Sequence, residues 1–136
     1  MKLSACVIVK NEEENIGTWF SSMKKLADEM IVVDTGSTDR TVEMAKAAGA
    51  RVFHHAWQND FAAAKNCALE KAKGDWILFL DADEYFSPQT IAKVRPLLLE
   101  VEKSTKPIVG VICRLVNIDK DQGNRFTGAI FQLRIF

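Results

Sequence analysis

The chain has 136 residues, little cysteine, little proline and no excess of charge. Its three cysteines, Cys6, Cys67 and Cys113, are widely spaced and form no CxxC pair. A disulfide scaffold is thereby excluded, and no zinc or thioredoxin-type motif is indicated. Buried, reduced thiols of a cytoplasmic protein are the expectation. Lys+Arg and Asp+Glu number 18 each, for a formal net charge of zero. Such a balance gives no general attraction to nucleic acid or to an anionic membrane, so nucleic acid is not an expected partner. No run approaches the ~20 apolar residues of a membrane span. The apolar start, Leu3 to Val9, is interrupted by Ser4 and stopped by Lys10. It is too short for a signal peptide. Repeats, linkers and low-complexity tracts are absent. A hydrophobic fraction of 48% and a charged fraction of 26% are those of an ordinary globular chain.

What is present is a regular alternation. Ala5–Val9, Met30–Val33, Arg51–Phe53 and Trp76–Leu80 are short apolar runs that read as buried strands. Between them lie amphipathic segments. Asn11 reads as the cap of the first helix, followed by Glu12, Glu13 and Glu14 at its positive end. Ile16, Trp19, Phe20, Met23 and Leu26 recur at helical spacing. Thr41–Ala48 reads as a helix closed by Gly49, and Asn59 or Asp60 opens another through Ala72. Ser87-Pro88 opens a fourth, reaching about Glu102. The first ninety residues are thus β-α-β-α-β-α-β, an α/β class with a parallel sheet covered on both faces. Ile108–Leu115 and Ala129–Phe136 read as an antiparallel hairpin around the turn Lys120–Asn124.

Ligands in open α/β sheets bind beyond the carboxyl ends of the strands. The polar residues there are Lys10-Asn11-Glu12, Asp34-Thr35-Gly36-Ser37 and Asp81-Ala82-Asp83-Glu84. Neither GxGxxG nor GxxxxGK[ST] is found, which argues against a dinucleotide fold and a P-loop. Residues two apart in an extended segment point to one side, so Asp81 and Asp83 are expected to converge. Two carboxylates repel unless a cation separates them. Oxygen-only ligation suits Mg²⁺ or Mn²⁺, with a diphosphate and water completing the shell. Asp34 could accept from a base or ribose, or simply hold a turn. Lys65 could reach a phosphate. His54 and His55, neighbours on a strand, point to opposite faces and are read as structural, as are Trp19, Trp57 and Trp76.

At these segments the sequence resembles the family 2 glycosyltransferases of the GT-A fold. The likeness is carried by Val7-Ile8-Val9-Lys10-Asn11-Glu12-Glu13-Glu14-Asn15-Ile16 and by Ile31-Val32-Val33-Asp34-Thr35-Gly36-Ser37-Thr38-Asp39-Arg40-Thr41. It continues in Ala64-Lys65-Asn66-Cys67-Ala68-Leu69 and Gly74-Asp75-Trp76-Ile77-Leu78-Phe79-Leu80-Asp81-Ala82-Asp83-Glu84. Within the family the chain is most similar to the lipopolysaccharide-core β-1,4-glucosyltransferase-like branch. The resemblance implies an inverting transferase with a nucleotide-sugar donor, usually a UDP-sugar, and a saccharide or lipid-linked acceptor. It implies Asn11 and Glu12 at the border of the nucleotide pocket and Asp34 at the uracil. It places Asp81 near ribose and metal, and makes Asp83 the metal ligand proper. Lys65 stands where the family often has arginine, which keeps the charge but loses a planar fork.

The family's catalytic base comes from a segment after the DxD, and residues 90 to 136 offer no match. Asp119 and Asp121 read as turn residues. The chain ends on the apolar Leu133-Arg134-Ile135-Phe136. The expectation is a single domain over 1–136, the N-terminal part of a longer protein, truncated on its acceptor side. Its expected place is the cytoplasm, free or peripheral at the inner face of the membrane. The alternatives from other classes are a DxD phosphatase of the haloacid-dehalogenase kind and a noncatalytic nucleotide-binding fragment.

Overall fold

A computed structural model describes residues 1–136. Ten elements follow in the order β1 (Leu3–Val9), α1 (Ile16–Met23), β2 (Glu29–Asp34), α2 (Thr41–Ala47), β3 (Arg51–His54), α3 (Phe61–Lys71), β4 (Trp76–Phe79), α4 (Pro88–Glu102), β5 (Val111–Asp119) and β6 (Arg125–Ile135). They build the expected α/β architecture around one six-stranded sheet of order β3-β2-β1-β4-β6-β5. β1 pairs in parallel with both β2 and β4, and β2 with β3. β6 joins β4 antiparallel and forms a hairpin with β5. This is the mostly parallel sheet with an antiparallel extension of the GT-A fold.

Each central strand is apolar on both sides because helices cover both faces. One core unites Val7, Trp19, Met23, Leu78, Leu98 and Ile135 with twelve further residues beneath α1, α2 and α4. A smaller one gathers Cys6, Ile31, Val33, Ala68 and Phe79 beneath α3. Complete burial of each such Leu, Ile or Val contributes about 1.5–3 kcal/mol. The helix starts follow local chemistry. Asp60 accepts from the Ala63 amide at 3.1 Å to open α3, and Ser87 accepts from the Thr90 amide at 3.2 Å to open α4, with Pro88 at its first turn. Gly49, at φ 84°, closes α2 in the left-handed region that glycine enters without strain.

Three expectations change. The first helix begins at Ile16, not after Asn11. Asn11 sits at φ 54° and caps nothing, because its side chain is engaged by the neighbouring loop. The hairpin is shifted, with β5 running to Asp119 and β6 starting at Arg125, because its outer half stays paired while exposed to solvent. The Asp81–Glu84 segment is a turn rather than an extended stretch, closed by the Glu84 amide donating to the Asp81 carbonyl at 3.0 Å. Alternation therefore does not govern where Asp81 and Asp83 point.

Candidate functional site

The ends of β1, β2 and β4 lie side by side, so three loops meet at one sheet edge. Val9 pairs in register with Asp34, and Asp34 in turn with His54. The first two loops are stitched together. The Asn11 side-chain oxygen accepts from the Thr38 amide at 2.7 Å and the Asp39 amide at 3.3 Å. The Asn11 amide donates to the Ser37 hydroxyl at 2.9 Å, and the Glu12 amide to the Thr41 hydroxyl at 2.8 Å. Glu12 also accepts from the Asn15 side-chain amide at 3.0 Å. Asp39 takes both the amide and the hydroxyl of Thr41. Burial pushes its carboxyl up, but those bonds and one from the Glu13 amide outweigh it and hold Asp39 below the usual range. Lys10 is exposed beside this seam.

Asp34 is 4% exposed, and its carboxylate accepts from the Gly36 and Ser37 amides at 3.1–3.3 Å. That is the turn-holding role considered from the sequence. A second contact was not foreseen: His54 Nδ1 lies 3.3 Å from Asp34 Oδ2. Asp34, Thr35, Gly36, His54, His55 and Ala56 line a cavity of about 220 Å³. His54, read as structural, is thus a candidate site residue. The in-register pairing of β2 with β3 is what brings it there, and two adjacent histidines give no hint of it.

Lys65 on α3 places its ammonium 5.2 Å from the centre of the Phe79 ring. That aromatic face holds the charge close to the end of β4. Beyond β4 lies the acidic turn. Asp83 is exposed, and the Asp81 side chain is 56% exposed. Glu84 is held on both oxygens, by the Asp81 amide at 2.9 Å and by the Arg134 guanidinium. Arg134 Nη2 also lies 3.7 Å from Asp81 Oδ2. The turn forms one wall of a cavity of about 1200 Å³, with the start of α4 and the β5–β6 hairpin as the others. At the hairpin tip Lys120 donates to the Asn15 side chain at 3.4 Å. Asp119 accepts from the Asp121 and Gln122 amides, the turn role expected of it. Glu84 and Arg134 were not foreseen as site residues. One signal existed: a lone charge in the apolar run Leu133–Phe136 needs a partner if it is buried.

Loops gathered at the carboxyl ends of parallel strands, with a hairpin closing the sheet, define an α/β transferase domain of the GT-A kind. The chain belongs to the family described as glycosyl transferase family 2, whose model matches residues 4–132. It is 45% identical over 101 residues to a TPR repeat-containing protein of Synechococcus elongatus, covering 74% of this chain and 25% of that protein. It is 44% identical over 88 residues to an uncharacterized glycosyltransferase of Rickettsia bellii, covering 65% and 30%. Among solved structures, it is similar to glucosyl-3-phosphoglycerate synthase from Mycobacterium tuberculosis in complex with Mn²⁺, UDP and glucosyl-3-phosphoglycerate. That match has a TM-score of 0.60 and 26% identity, over 76% of this chain and 40% of that one. The chain spans 25–30% of the length of these curated relatives. The family match leaves the phosphatase alternative without support. No helix is long and apolar enough to cross a membrane.

Proposed function

We propose that this domain binds a nucleotide-sugar donor, a UDP-sugar, for transfer with inversion to a hydroxyl of a saccharide or lipid-linked acceptor. The observation that carries the reading is the exposed acidic turn Asp81–Asp83, at the same sheet edge as the buried Asp34. Asp34 and the small cavity beside it would take the base. Lys65 would meet the diphosphate, and Lys10 would add a second positive charge nearby. Glu12 would border the nucleotide pocket. Asn11 would shape that pocket by clasping the two loops, since its oxygen is already committed to Thr38 and Asp39.

The donor set at the turn suits a hard divalent cation. Asp81 and Asp83 offer oxygen ligands only, and both are exposed. These two carboxylates would be the chain's ligands to the ion, with no nitrogen or sulfur donor among them. That fits Mg²⁺ or Mn²⁺, which keep water and phosphate oxygens in their shell. When bound, the ion would offset the charge that builds on the leaving diphosphate. The acceptor's general base is not assigned to any residue of this chain. A cytoplasmic place, where nucleotide sugars are available to a domain with free thiols, agrees with this reading.

Titration of UDP and of UDP-sugars, with and without Mn²⁺, tests the proposal on wild type and Asp83→Ala. Wild type should bind in a metal-dependent manner, and Asp83→Ala should lose at least ~10-fold, the usual scale for damage to a metal site. A folded wild type with no metal-dependent UDP binding would sink the reading.

A further inference from the structure

We infer that Arg134 is the positioning residue of the acidic turn, fixing Asp81 and Glu84 from the neighbouring strand β6. The inference rests on the donor-site reading above. Arg134 lies on β6 beside Ile135, which pairs with Leu78 of β4. β6 therefore fixes the arginine's backbone close to the point where β4 gives way to the turn. The residue is 9% exposed, and its Nε–H has no partner. A buried, unpaired N–H is destabilising, so packing alone gives no reason for an arginine here. What the side chain achieves is electrostatic and geometric. Nη2 donates to Glu84 Oε1 and stands 3.7 Å from Asp81 Oδ2. The other Glu84 oxygen receives the Asp81 amide, while the Glu84 amide donates to the Asp81 carbonyl. A chain of contacts thus runs from β6 through Glu84 to both ends of the turn. Glu84 is the strut and Arg134 its anchor. With Glu84 occupied, Asp81 and Asp83 are the carboxylates left to face a cation.

Two roles for the arginine predict opposite signs. If Arg134 were only a counter-charge, its removal would make the turn more negative and tighten Mn²⁺. If it positions the turn, its removal should weaken Mn²⁺, because a ligand held in the wrong place binds less well. The experiment measures Mn²⁺ affinity by electron paramagnetic resonance at fixed UDP, for wild type, Arg134→Gln, Arg134→Lys and Glu84→Gln. Thermal melts and hydrogen exchange at the Asp81 and Glu84 amides are followed in parallel. Arg134→Gln is expected to weaken Mn²⁺ by about 10-fold or more, with partial recovery in Arg134→Lys. Binding of UDP without metal should be unchanged, and the two amides should exchange faster. Unchanged or tighter Mn²⁺ binding in Arg134→Gln overturns the inference. If Arg134→Gln fails to fold, Glu84→Gln decides by amide exchange and not by metal affinity, which falls with the lost carboxylate charge in either role: faster exchange at the Asp81 amide supports positioning, and equal exchange overturns it. Should wild type bind no Mn²⁺ with UDP, the donor-site reading fails instead. Amide exchange then decides on positioning alone, and equal exchange in wild type and Glu84→Gln refutes it.

Discussion

Replacing Asn11 separates two contributions to the loop clasp. Its side-chain oxygen receives two backbone amides and lies 3.3 Å from the Thr38 hydroxyl, and its backbone sits at φ 54°. Glycine accepts that φ but removes the acceptor. The bonds are exposed to water, so their loss should cost about 1 kcal/mol in total. The freer unfolded chain adds about 0.7 kcal/mol. Alanine also removes the acceptor and must enter the left-handed region at about 1.5 kcal/mol. The expected losses are therefore about 1.7 kcal/mol for Asn11→Gly and about 2.5 kcal/mol for Asn11→Ala. For a chain of this length, each kcal/mol corresponds to about 3 °C in Tm. Urea unfolding followed by circular dichroism gives the free energies directly, and the slope should not change. The reasoning fails if alanine costs no more than glycine. Two variants that both match wild type within about 0.3 kcal/mol would equally show that the clasp does not hold the loops.

Other consequences can be checked with the same assays. A Cβ at Gly74 would lie 2.6 Å from the Ser4 hydroxyl and 2.7 Å from the Ser4 amide nitrogen. Gly74→Ala should cost about 2–3 kcal/mol by overpacking, and a second change, Ser4→Ala, should restore little because the backbone clash remains. At Glu29 burial raises the carboxyl, but the Ser4 hydroxyl, the Lys73 amide, Lys2 and Arg51 outweigh it and hold the group below its ordinary 4.5. A lowered folded value means stability that is present above pH 4.5 and lost as pH falls through the folded value. Wild type should therefore lose urea resistance in acid, while Glu29→Gln starts weaker at neutral pH and declines less steeply. Burial, aided by Glu29, pushes the Cys6 thiol up to about 12. Alkylation at pH 8 followed by mass spectrometry should leave Cys6 unmodified in the native protein and modify it in urea; native labelling at Cys6 would contradict its burial.

The sheet was legible because its signal is local. Ile31, Val32 and Val33 are fully buried, and so is every apolar residue from Leu3 to Val7, so continuous apolar runs marked the strands without regard to partners. Ser87-Pro88 marked the start of α4 for the same reason, since a cap and its first turn are neighbours in sequence. What escaped depends on distance. Asn11 looked like a helix cap because asparagine followed by three glutamates fits that use; its partners Thr38 and Asp39 are 27 and 28 residues away. Arg134 meets Glu84 across 50 residues and His54 meets Asp34 across 20. Neither pairing leaves a periodic trace. The acidic turn was visible as composition, while its turned shape depends on Glu84 reaching back to the Asp81 amide. The hairpin was foreseen in kind but misplaced by several residues, because Ile112, Phe126 and Phe131 are exposed and the apolar pattern there does not report burial.

The place of β1 at the centre of the parallel strands has a consequence for the nascent chain. One edge of β1 is covered by β2, which follows within about thirty residues; the other waits for β4, whose Trp76 pairs with Leu3. At a synthesis rate of about 5–20 residues per second, that edge stays open for on the order of ten seconds. An uncovered apolar strand edge is a template for pairing with other chains. The ribosome and early chaperones would thus meet this domain first as an unfinished sheet, and agents that slow elongation between residues 34 and 76 should raise its aggregation.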